Sequence, residues 1–212
     1  MKKKLTIGIL AHVDAGKTTL SEALLYISGK IRTLGRVDHK NTFLDTNNIE
    51  RERGITIFSK QARFSSENCD FILLDTPGHV DFSAETERVL SLLDYAILVI
   101  SASDGVQNHT RTLWNLLEFY NVPTFIFVNK CDIAIKTKDE QESEIASILS
   151  TNCVAFYDTQ SKRELDEKLA LVNEAFLDDF LAEEPIDDGD IATLISQREL
   201  FPIIFGSALR MS

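Results

Sequence analysis

Cysteine is scarce in this chain of 212 residues: Cys69, Cys131 and Cys153 are the full set. Three cysteines without a CxxC spacing offer no disulfide framework, so they read as free thiols suited to a reducing cytosol. Long apolar runs are lacking as well, and no segment is long enough to span a bilayer. The basic start Met1-Lys2-Lys3-Lys4 resembles the beginning of a secretory signal. The apolar stretch after it is short, however, and runs into His12, Asp14 and Lys17 without a small-residue cleavage site. Positive charge is in deficit, with 22 basic against 33 acidic side chains and a net charge of −11. No internal repeat or low-complexity tract is visible.

The apolar share of 44% and charged share of 26% describe an ordinary globular chain. Its charge is unevenly placed. Residues 133–200 carry 17 acidic and 6 basic side chains, while the remainder carries 16 of each. The whole negative excess therefore sits in one block, a poor surface for nucleic-acid phosphates. Direct sequence-specific nucleic-acid binding is not expected, and neither is a membrane partner. The basic clusters at Lys2–Lys4 and around Arg32, Arg36 and Lys40 read as solvated surface.

Five apolar runs have the continuous hydrophobicity of strands covered on both faces. They begin at Leu5, Phe71, Tyr95, Thr124 and Phe201. Residues 57–64 alternate enough for an edge strand. Helical patterns over 82–93 and 107–120 lie between them, the second placing Leu113, Leu116, Leu117 and Tyr120 on one face. This alternation predicts an α/β fold with a mostly parallel six-stranded sheet and helices on both faces. Residues 133–200 read as an acidic helical insert before the last strand, with two or three helices in 136–200 and a turn at Glu184-Pro185.

The polar motifs fall at the carboxyl ends of these strands, where such folds bind ligands. Ala11-His12-Val13-Asp14-Ala15-Gly16-Lys17-Thr18 joins the first strand to a helix pattern starting at Leu20. A Gly-Lys-Thr element in that setting cradles nucleotide phosphates with loop N–H groups and the positive helix end. Val13, Asp14, Ala15, Gly16 and Thr19 belong to this cradle. Lys17 is placed to reach the β- and γ-phosphates, and the Thr18 hydroxyl to ligate Mg²⁺. Ala11 stands where the general pattern has glycine.

Asp75-Thr76-Pro77-Gly78-His79 follows the Phe71 strand directly. A carboxylate there can hold Mg²⁺ through a water, and the Gly78 N–H can approach the γ-phosphate unobstructed. Thr56, within Arg53-Gly54-Ile55-Thr56-Ile57, can complete the Mg²⁺ shell when γ-phosphate is present. The polar stretch 29–53 before it would then act as a nucleotide-responsive switch. Asn129-Lys130-Cys131-Asp132 closes the Thr124 strand and reads a base. The Asp132 carboxylate accepts two N–H groups from guanine and is repelled by the acceptor at N1 of adenine. The Lys130 stem lies against the ring, and Asn129 braces the loops. Ser207, Ala208 and Leu209 can offer backbone N–H groups to guanine O6. An ATP-using kinase or motor is the reading that Asp132 argues against. A binding switch with little turnover stays open.

Taken in this order and spacing, the elements resemble the GTPase domain of translational GTPases, in the elongation factor G branch. Ala-His-Val-Asp-Ala-Gly-Lys-Thr, Arg-Gly-Ile-Thr-Ile and Asp-Thr-Pro-Gly-His carry the resemblance, and Ala11 is normal for that branch. The likeness is closest to ribosomal-protection tetracycline-resistance proteins, through residues 18–26, 34–38, 101–107 and 200–202. The segment 39–46 departs from the run such proteins have there. The resemblance implies a P-loop NTPase fold, Mg²⁺-dependent conversion of GTP to GDP, the ribosome as partner and a cytoplasmic setting. It implies that His79 orients the attacking water, with Lys17 and Gly78 assisting, and that Val13 and Ile55 gate His79. Asp14 would help to bind a monovalent cation. No arginine finger is evident, so hydrolysis should be slow unless a partner completes the site. His12 is expected to be structural, and His39 and His109 to lie on the surface. A closing helix and further domains would follow residue 209, so the chain is expected to be a fragment that exposes apolar surface.

Overall fold

The computed structural model describes residues 2–33, 60–66, 68–75, 88–157 and 161–211. The elements run β1 (Lys3–Ala11), α1 (Lys17–Ile27), β2 (Lys60–Ser65), β3 (Cys69–Asp75), β4 (Tyr95–Ser101) and α2 (Asn108–Phe119). They continue with β5 (Thr124–Asn129), α3 (Lys138–Ile148), β6 (Cys153–Ala155), α4 (Lys162–Ala170), α5 (Glu174–Leu181), α6 (Asp188–Ser196) and β7 (Phe201–Phe205). The sheet order is β2-β3-β1-β4-β5-β7-β6. Edge strand β2 runs antiparallel to β3, and all other pairs are parallel.

Alternation along the central strands explains their unbroken hydrophobicity. Leu10, Leu98, Ile100, Ile126 and Val128 face α2 and α3 through Leu113, Trp114, Leu117 and Ile145. Their neighbours Ile9, Ala11 and Val99 face α1 through Leu20 and Leu25. Where these helices lie on the sheet both faces are thus buried, as parallel sheets require. Further along the α1 side, Val154 of β6 packs on Leu169, Phe176, Ile191 and Leu194 of α4–α6. Between α1 and α6 lies an apolar groove of about 560 Å³, lined by residues that include Leu5, Ile97, Phe127, Ile195 and Ile204.

Two sequence expectations need correction. The sheet has seven strands rather than six, because β6 adds to the outer edge of β7. Three residues are too few to show a period, and the pairing of Cys153 with Phe201 spans the insert. Among the described residues, the segment 136–200 also holds four helices rather than two or three. The apolar positions of α4 and α5 read as one series, but Asn173 breaks it. Its side chain accepts from the Ala175 N–H at 2.9 Å and starts a new helix. The helix expected over 82–93 lies largely outside the described residues, of which 88–90 are helical.

Candidate functional site

The parallel strands end along one edge of the sheet, with β4 between β1 and β5, and the polar motifs follow or close four of them at Ala11 of β1, Asp75 of β3, Asn129 of β5 and Phe205 of β7. The loop after β1 turns at Asp14 (φ 63°) and Gly16 (φ 92°). At Gly16 a Cβ would collide with the Asn129 amide, so both the conformation and the close approach require glycine. Helix α1 starts there without a side-chain cap. Its first backbone bond runs from the Leu20 N–H to the Gly16 carbonyl at 3.0 Å. The helix therefore presents N–H groups of its first turn toward the strand ends, a ready anion site.

Lys17 and Asp75 form a buried ion pair across this cradle, with side-chain exposures of 8% and 1%. The second Asp75 oxygen, Oδ2, is buried and accepts no hydrogen bond among the described residues. Thr18 follows Lys17 on the first turn of α1. Oxygen donors of this kind suit a hard cation such as Mg²⁺, which makes an all-oxygen shell. The residues present therefore fit the ion.

Asn129 connects the two halves of the site. It is 2% exposed. Its Nδ2 donates to the Ala15 carbonyl at 2.9 Å, and its Oδ1 accepts from the Ala208 N–H at 2.9 Å. One side chain thus ties the phosphate loop to the last loop across 114 and 79 residues of sequence. Backbone bonds add to this seam: the Cys131 N–H donates to Gly206 at 3.1 Å, and the Gly206 N–H to Val128 at 3.0 Å. Lys130 takes a left-handed conformation (φ 64°), which turns the chain off β5 into a short 3-10 turn at Cys131–Ile133. Burial pushes the Cys131 thiol pKa up.

Asp132 is held by two partners that the sequence did not reveal. The Ser207 hydroxyl is the larger influence holding its carboxyl below the ordinary carboxylate range, and the Arg210 charge adds to it. Arg210 Nε lies 3.0 Å from Asp132 Oδ2, an ion pair between the two loops. Ser207 and Ala208 are buried, whereas Leu209 is exposed. No local pattern could have announced Arg210, since its partner lies 78 positions away in sequence. His109 also departs from expectation: it packs against His12, with ring centroids 5.9 Å apart, rather than standing free on the surface. Thr56, Ile55, Gly78, His79, His39, the segment 39–46 and the switch after Thr33 lie outside the described residues.

A mostly parallel α/β sheet, a glycine-lysine-threonine loop opening α1 and a base loop joined to it by Asn129 define a P-loop GTPase domain. The sequence model of the elongation factor Tu GTP binding domain matches residues 2–212, and the chain belongs to that family. It is 42% identical over 229 residues to the tetracycline resistance protein TetP of Clostridium perfringens, covering 98% of this chain and 35% of that protein. It is also 42% identical over 220 residues to TetW of Butyrivibrio fibrisolvens, covering 97% and 34%. The chain thus spans about a third of the length of these curated relatives. A crystal structure of a protein from Thermus thermophilus superposes with a TM-score of 0.84 at 24% identity, covering 98% of this chain and 38% of that one. At that identity the likeness speaks to the fold. No helix among the described residues is long and apolar enough to cross a membrane.

Proposed function

We propose that this chain binds GTP with Mg²⁺ and hydrolyses it slowly on its own, with stimulation when the protein engages the ribosome in the cytoplasm. The observation that carries this reading is the Asn129 bridge, which sets a phosphate loop and an acidic base reader at a fixed separation. Incoming phosphates take Lys17 from Asp75, and the freed carboxylate faces the cation. Neither charge is then left buried and unpaired, which would cost several kcal/mol, about 3–5 by analogy with broken buried pairs. Asp75, Thr18 and Thr56 are the residues that would hold Mg²⁺, which when bound neutralises charge on the phosphate oxygens. Asp14 is assigned to a monovalent cation beside them.

His79 positions a water in line with the γ-phosphorus while Lys17 and the Gly78 N–H stabilise the equatorial oxygens. The water oxygen bonds to phosphorus, the bridge to the β-phosphate breaks, and the water's protons pass to the phosphate product. With no arginine finger evident in the sequence, partner stimulation on the order of 10³–10⁵-fold is expected. The names of the relatives speak of tetracycline resistance, and the finer reading is that this protein confers it by releasing tetracycline from the ribosome. Growth in tetracycline of cells producing the protein, compared with cells producing His79→Ala, tests that finer step.

Competition between GTP and ATP for a labelled GDP tests the base reading, and equal competition would refute it. Turnover with and without ribosomes separates the enzyme from a binding switch. Unstimulated turnover would leave only the switch.

A further inference from the structure

Arg210 stands one residue beyond the stretch assigned to the base and has no part in the reading above. Its backbone N–H donates to the Ser207 carbonyl at 3.1 Å, closing a turn that aims the side chain back across the site. The guanidinium reaches Asp132 Oδ2 through Nε. The Asp132 side chain is 17% exposed and that of Arg210 67% exposed, so the cation is the more open partner of the pair.

A carboxylate offers about four lone-pair positions on its two oxygens. Arg210 Nε sits 3.0 Å from one of those oxygens, Oδ2. That single contact leaves acceptor positions for the two N–H groups on the Watson–Crick edge of guanine. Arg210 therefore need not leave when the base arrives. We infer that Arg210 is a positioning residue for guanine recognition, clamping the Asp132 carboxylate in the one orientation that leaves its free lone pairs facing the base.

The inference rests on the guanine-reading assignment of Asp132, and a nucleotide-exchange design keeps the two separable. Asp132→Asn removes the ionic partner and presents an amide donor. That donor suits the C2 carbonyl of xanthine in place of the guanine amino group. Titrations of the 212-residue chain with fluorescent GDP, and with XDP for the Asn variants, supply five affinities. Arg210→Ala should weaken GDP binding about three- to tenfold, and Arg210→Lys should recover part of the loss, because exposed charge pairs contribute modestly. In the Asp132→Asn background, Arg210→Ala should leave XDP affinity within twofold, since there is no carboxylate to clamp. Equal losses for GDP and XDP would reduce Arg210 to a loop-building role and overturn the inference. Unchanged or tighter GDP binding in Arg210→Ala, in a protein that still prefers GDP over ADP, would also overturn it and show the arginine to compete with the base. A wild-type chain that binds ADP as tightly as GDP would remove the base-reading assignment, and this inference with it.

Discussion

The nucleotide-binding half and the acidic insert organise their helix ends in opposite ways. In the insert, α3 and α4 each begin with a reciprocal capping box, Thr137 with Glu140 and Ser161 with Glu164. Helices α5 and α6 are capped by Asn173 and Asp187. In the nucleotide half, α1 and α2 begin without any side-chain cap. A cap satisfies orphan N–H groups within three residues of sequence, and α1 leaves that task open. The insert's helices secure their own starts locally, whereas the site region depends on side chains that reach across the fold. Donors reserved for a ligand cannot also be spent on the helix that carries them.

Lys17→Ala tests this contrast most severely. It should lower GDP affinity about a thousandfold, read by fluorescence titration, because the cradle loses its cation. Leaving Asp75 buried without its partner should also lower stability by about 3–5 kcal/mol in urea denaturation. Next comes His79→Ala, for which ribosome-stimulated turnover should fall about a hundredfold, the scale of a lost water-positioning group. Its GDP affinity should stay within twofold. A parallel loss of affinity would place His79 in binding rather than chemistry.

Asn129→Ala addresses the long-range seam. Two buried bonds disappear together, leaving the Ala15 carbonyl and the Ala208 N–H unsatisfied, so about 2–4 kcal/mol of stability should be lost. GDP affinity should drop about tenfold as the two loops lose their spacing. Thr137→Ala, in the insert, should cost about 1 kcal/mol of stability and leave GDP affinity unchanged. An affinity change there would break the separation between the two regions.

The smallest expected effect concerns Glu140, whose carboxyl is held below its ordinary range chiefly by the Thr137 N–H and then by the Thr137 hydroxyl. A depressed carboxylate pKa stabilises the fold above the unfolded value, about 4.3, and the benefit fades as pH falls through the folded one. Glu140→Gln should therefore show a small stability deficit at pH 7 that shrinks as pH falls through the folded carboxyl's lowered pKa.

Much of the architecture was legible because its signals are local. The apolar runs at Phe71, Tyr95, Thr124 and Phe201 are continuous, and each became a strand within a residue or two of its expected start. Lys17, Asp75, Asn129, Asp132 and Ser207 all stand at strand ends, as their motifs required. What escaped was non-local or too short. Strand β6 has three residues and gains meaning only beside β7. The break at Asn173 is a single side chain acting on its own backbone. His109 looked like a surface residue until α2 was packed beside the phosphate loop, where His12 waits.

Residue types and spacing alone determined which chemistry this protein carries: a lysine and threonine on a glycine turn, and a carboxylate after each of two buried strands. Those choices are local because the loops that hold phosphate and base are short. Tertiary structure decided how the pieces hold one another. Asn129 joins loops more than a hundred residues apart, Lys17 waits on Asp75, and Arg210 reaches Asp132 from the far end of the chain. Such pairings come from the parallel sheet, which brings distant strand ends to one edge. No periodicity records them, because the residues involved are neighbours only after the sheet has formed.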